Sequence, residues 1–95
     1  MKVIRLDASA WRSEEDLYSA LLPQLGAPAW HGHSLDALND SIGGGDINAV
    51  EPPFRVEVDG ADQVPEAMRD LLSGVARLFA EVRAETRKDV ELQVR

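Results

Sequence analysis

Apolar and polar residues switch strictly in Phe54-Arg55-Val56-Glu57-Val58 and again in Val90-Glu91-Leu92-Gln93-Val94. That two-residue period belongs to strands with one face buried. Val3-Ile4-Arg5-Leu6 reads as a further strand at the start of the chain. Elsewhere the apolar residues recur at helical spacing. Met68, Leu71, Leu72, Val75, Leu78, Phe79 and Val82 mark one side of a helix of about five turns, with Pro65 suited to its first position. Leu17, Leu21 and Leu25 mark another, which Ser13 can cap while Glu14, Glu15 and Asp16 suit the positive end of its dipole. Pro23 is expected to kink or end that helix near Leu22, and Trp11 is placed to staple its start to the core. Gly26-Ala27-Pro28 reads as a connection. Ser34 caps a third helix with Leu35, Leu38 and Ile42 turned inward, and Gly43-Gly44-Gly45 stops it. Asp59-Gly60 is a turn.

The order is therefore strand, two helices, strand, helix, strand. Crossovers of this length favour parallel pairing with a right-handed connection. Parallel sheets are usually covered on both faces, but two of these strands alternate. The expected fold is an α/β two-layer sandwich: a three-stranded parallel sheet in the order 1-2-3, with helices packed mainly on one face. Residues 1–95 are expected to form a single domain.

Composition adds charge to this outline. The net charge is −7, from seventeen acids and ten bases. Residues 1–62 hold eleven acids and four bases, whereas residues 63–95 hold six of each. From Ser13 to Phe54 there are seven acids and no Lys or Arg. Such a field repels nucleic acid and anionic membranes, and it speeds encounter with a basic partner; it also serves plain solubility. Cysteine is absent, which excludes disulfides and thiolate metal sites. No apolar run is long enough for a membrane span, and the N-terminal one is too short for a signal peptide. A cytoplasmic location is expected, and a free acidic face argues for a monomer.

The segment Trp30-His31-Gly32-His33-Ser34-Leu35-Asp36-Ala37-Leu38-Asn39-Asp40 concentrates the candidate chemistry. Asp36 and Asp40 lie four apart and so project from the same side of a helix, where like charges repel. Asp36 recovers some of that cost from the helix dipole. Asp40, mid-helix, recovers none and is a poor helix former there. It is either part of a solvated face or a group kept for function. Trp30, beside glycine in a loop, is either an exposed anchor or a core aromatic. His31 and His33 with Asp36 suggest a zinc-dependent enzyme only weakly, because a single intervening residue is no specific ligand spacing. The histidines would equally serve as loop residues or as partner contacts that titrate near neutral pH. Ser34, His33 and Asp36 have the letters of a hydrolase triad but sit too close in sequence to adopt its geometry. No phosphate-binding loop, dinucleotide fingerprint or nucleophile elbow is present, and Gly43-Gly44-Gly45-Asp46, with no base beside it, reads as a mobile helix exit. No enzyme activity, cofactor or metal is expected.

Leu25-Gly26-Ala27-Pro28-Ala29-Trp30 followed by Gly32, Leu35-Asp36-Ala37-Leu38 and Asp40 resembles the signature segment of the barstar family, intracellular inhibitors of secreted bacterial ribonucleases of the barnase type. The resemblance implies a protein that plugs a basic ribonuclease active site with an acidic helix and loop in place of RNA. On that pattern Asp40 would occupy the phosphate site against Arg and His, and Asp36 would meet a second basic group. Trp30 would lie against an active-site His, and Glu81 would touch a peripheral Arg. Asn39 and, through its backbone, Gly44 complete the implied contacts. Asn39 stands where the family prototype has a tryptophan, the glycine run covers another, and the prototype's cysteines are absent. The resemblance therefore leaves open which ribonuclease or nuclease toxin is the target. The alternative is an immunity protein for a different nuclease, or an acidic adaptor that binds some other basic protein through the same face.

Overall fold

The computed structural model describes residues 1–44 and 47–95. Three strands, β1 (Lys2–Asp7), β2 (Phe54–Asp59) and β3 (Val90–Val94), pair in parallel in the order β1-β2-β3. Ile4 stands opposite Val56 and Val56 opposite Leu92, so one register carries the apolar positions across the sheet. That face, made of Ile4, Leu6, Phe54, Val56, Val58, Val90 and Leu92, is buried beneath the helical layer. Three α-helices form the layer: α1 (Glu14–Gln24), α2 (Leu35–Gly44) and α3 (Glu66–Thr86). Leu17, Leu21, Leu38, Leu72, Val75 and Phe79 supply its core side, and Phe79 meets Phe54 edge to face at 6.1 Å. A short 3-10 turn, η1 (Ala61–Gln63), precedes α3 and has no forerunner in the apolar pattern.

Both ends of α1 and the start of α2 are set by local chemistry. Asp16 accepts from the backbone N–H of Arg12 at 2.7 Å and of Ser13 at 3.1 Å, closing the start of α1. Those two bonds, the Arg12 one foremost, hold the Asp16 carboxyl below its ordinary range. Pro23 does not end α1, which runs on to Gln24. It lies in the last turn, where its ring removes one intrahelical N–H bond without ending the helix, and the stop comes from Gly26 instead. Gly26 adopts a positive φ of 68°. Around it the Ala27 N–H donates to Leu22 O and the Gly26 N–H to Pro23 O, the paired bonds of a Schellman cap. Ser34 caps α2 as expected, its hydroxyl accepting from the Ala37 N–H at 3.1 Å. Pro65 stands one residue outside α3, a boundary difference of one position.

The glycine run does not stop α2 where its first member stands. Gly43 and Gly44 are both helical, while Gly45 and Asp46 lie outside the described residues. The end of α2 is held from elsewhere: the Lys88 ammonium donates to Gly43 O at 3.0 Å and Ile42 O at 3.4 Å. A cation 45 residues away thus supplies the positive charge that α2 lacks in its own last turn.

The other sheet face carries no helix. It is a charged ladder in which Glu57 sits among Arg5, Arg55 and Arg95, with nitrogens 3.4, 3.0 and 3.4 Å from its carboxylate. Alternation alone assigns Glu57 to solvent. It is only 2% exposed because it lies on the central strand, where long arginine stems close over it. Three charge partners keep that burial tolerable.

Candidate functional site

The loop between α1 and α2 is built around Trp30. A turn closes from Pro28 to His31, with the His31 N–H donating to Pro28 O at 3.0 Å. This puts Trp30 at the tip, where its side chain is 74% exposed. The two readings of Trp30 are thereby separated in favour of the exposed aromatic. An indole this open contributes little to the fold, and it offers a rigid contact surface at low entropic cost.

Around α2 the structure brings the six expected residues into two neighbouring clefts and one helix end. Trp30 and Asp40 face a small cleft of about 140 Å³, floored by Gly32, Ala37, Ser41 and Ile47. Its size suits one guanidinium or imidazole rather than a nucleotide. Toward α3, Asp36, Asn39 and Glu81 line a second groove of about 410 Å³. Glu85 lines it as well, one turn beyond Glu81. Sequence reasoning passed over Glu85, although its four-residue spacing from Glu81 put it on the same side of α3. Arg77 is the one cation among the described residues of this groove. Gly44 ends α2 in the open, with nothing within 4 Å of where a Cβ would stand.

Asp36 and Asp40 are exposed, and neither forms a hydrogen bond or ion pair among the described residues. These two carboxylates are thus uncommitted among the described residues and available to a cation brought from outside. A larger depression of about 650 Å³ lies elsewhere, lined by Ala61, Leu72, Ala76 and Val94 with Asp62, Ser73 and Arg69 at its rim. The Arg69 guanidinium there already donates to Asp62 O, and no convergent polar groups make a site of it.

The two histidines diverge. His31 is buried; its Nε2 lies 2.8 Å from Ser41 Oγ and its Nδ1 2.7 Å from Gly32 O. His33 turns to α1, with Nδ1 2.7 Å from the Glu15 carboxylate and its ring stacked on Tyr18 at 5.7 Å. Burial, and then the nearby Glu14 charge, push the Tyr18 hydroxyl up to about 12. With these nitrogens already engaged, the pair is not arranged to share an ion with Asp36. Among the described residues no three His, Asp or Glu side chains gather as metal ligands do. The same engagement separates His33 from a triad with Ser34, whose hydroxyl serves as a helix cap.

Fold and face together define a small α/β binding protein that presents uncommitted carboxylates and one exposed aromatic around a short helix. The sequence model of the family described as Barstar (barnase inhibitor) matches residues 1–95, the whole chain, and the protein belongs to that family. Members of the family are inhibitors that bind ribonucleases such as barnase; they are not enzymes. No curated protein sequence matches the chain. None of the described helices is long and apolar enough to cross a membrane.

Proposed function

We propose that residues 1–95 act as one unit, a monomeric cytoplasmic inhibitor that occludes the active site of a basic ribonuclease. The observation that carries this reading is the placement of Trp30 and Asp40 on one small cleft, with Asp36, Asn39 and Glu81 on the adjoining groove. Asp40 takes the place of an RNA phosphate and receives Arg and His donors. Charge-assisted bonds to a carboxylate are short and strong, and an Arg partner can make two at once. Trp30 stacks on an active-site ring in place of a base. Asp36 and Glu81 meet peripheral cations, Asn39 adds a neutral hydrogen-bonding group between them, and the Gly44 backbone closes the far end. The surplus of acids in residues 1–62 steers a basic enzyme toward this face.

Departures from the family pattern bear on the target rather than on the mode. Asn39 and the glycine run replace bulky aromatics, so the matching enzyme surface is flatter or more polar there. A nuclease toxin is a target of the same chemistry as a barnase relative. The test is titration of the protein into a panel of basic bacterial ribonucleases while RNA cleavage is followed. Loss of activity at one equivalent supports inhibition. Binding to a basic enzyme with cleavage intact would support the adaptor reading.

A further inference from the structure

Besides the aromatics Trp11 and Tyr18, four side chains with polar groups are buried among the described residues: His31, Ser41, Asn48 and Glu57. Glu57 belongs to the charged ladder on the open sheet face. Of the other three, 6%, 3% and 8% exposed, His31 and Ser41 line the cleft of Trp30 and Asp40, and Asn48 joins them through Ser41. Burying polar groups in so small a core is costly unless each finds a partner.

Their hydrogen bonds have a definite sense. Gly32 O can only accept, so the His31 Nδ1 carries a proton and donates to it at 2.7 Å. The Asn48 amide Nδ2 donates to Ser41 Oγ at 3.2 Å. The Ser41 hydroxyl lies 2.8 Å from the His31 Nε2 and 3.1 Å from Leu38 O, so it joins the ring to α2 as well as to Asn48. The chain of bonds therefore runs from the segment after α2, through α2, into the Trp30 loop. Two backbone bonds fasten the segment after α2 to the base of the Trp30 loop, at the end of α1: the Ala49 N–H to Gly26 O at 3.1 Å and the Val50 N–H to Leu25 O at 3.0 Å.

We propose that His31 is a positioning residue which, through Ser41 and Asn48, presets the cleft between Trp30 and Asp40 before any partner arrives. His31 is the residue next to Trp30, and Ser41 the residue next to Asp40. Joining their side chains holds the loop tip at a set distance from the helix. An interface whose aromatic and carboxylate are already in place loses less freedom on binding. The geometry belongs to the free protein, while its use in recognition rests on the inhibitor reading.

The test begins with amide hydrogen exchange on the free chain, for His31→Phe and Ser41→Ala. Phe keeps the ring volume and removes the bonds; Ala empties the hub if the first variant folds poorly. The His31, Ala49 and Val50 amides should exchange about tenfold faster relative to the β2 amides. The double variant should be no faster than the more severe single one, because both break the same chain. Unchanged rates, a rise shared equally by β2, or additive effects would each overturn the clamp. With a ribonuclease that the wild type inhibits, His31→Phe should raise the dissociation rate about tenfold and leave the salt dependence of association unchanged. Normal dissociation despite a loosened loop would overturn the role in recognition. A wild type that inhibits no ribonuclease would defeat the inhibitor reading, and the exchange measurement on the free chain would still decide the clamp.

Discussion

Replacing Asp40 with alanine should make the free protein more stable and the complex weaker. In the structure Asp40 is exposed, stands at the sixth of the ten positions of α2, and has no hydrogen bond or ion pair among the described residues. Nothing in the fold is lost with it. Alanine is the better helix former by about 0.5–0.7 kcal/mol, and removing the repulsion from Asp36 one turn away returns about 0.2–0.5 kcal/mol. Together these stabilise the free chain by about 0.7–1.2 kcal/mol, which for a domain of this size raises the melting temperature by roughly 3–10 °C. In the complex the same change leaves an enzyme cation buried without its partner. That costs at least about 2 kcal/mol, or roughly thirtyfold in Kd. The figure is a general one for interface charge pairs, the barnase–barstar complex among the systems that set it. The assay pairs a thermal melt with titration against an inhibited ribonuclease. A melting temperature that falls along with the affinity would make Asp40 a structural residue. A higher melting temperature with unchanged inhibition would remove it from the interface.

Gly26→Ala should destabilise the fold by about 2 kcal/mol or more, since φ is +68° and the new Cβ would lie 2.6 Å from that of Ala49; chemical denaturation measures it. Lys88→Met should cost about 0.5–1 kcal/mol and speed exchange of the last α2 amides, because two end carbonyls lose their cation. The Asp16 carboxyl sits below its ordinary value of 3.8 in the folded chain, so it stabilises the fold at pH above that value. The contribution is lost as pH falls through the lower folded value. Asp16→Asn should therefore show a smaller drop in melting temperature between pH 5 and pH 2.5 than the wild type. Raising salt should slow association with the ribonuclease far more than it speeds dissociation.

The strands were legible because their alternation and register carry no competing signal; Val90–Val94 is a strand end to end. The long apolar stripe gave α3, and Ser34 before Leu35 gave the start of α2. What escaped was set by residues distant in sequence. Lys88, beyond α3 in sequence, holds the end of α2, and Glu57 is buried by arginines on β1, on β2 and just past β3. His31 and Ser41 look like ordinary polar positions until the fold sets them 2.8 Å apart. Pro23 misled because it removes only one bond near the end of α1, and the cap around Gly26 sets where the helix stops. The acidic site was readable residue by residue, for Asp36 and Asp40 share a side of one helix by spacing alone. Its division into two clefts was not, since one wall of each is a different segment.

As proposed, this protein occupies the place of RNA, with Asp40 in the position of a phosphate. The most direct test of that proposal is competition between the protein and a nucleotide 3′-phosphate for an inhibited ribonuclease, read as the apparent Kd at rising nucleotide concentration. The account predicts an apparent Kd that climbs in proportion to nucleotide once the active site is saturated, with Asp40→Ala showing a weakened base affinity. An apparent Kd indifferent to nucleotide would mean that the two bind together, and occlusion by phosphate mimicry would be wrong.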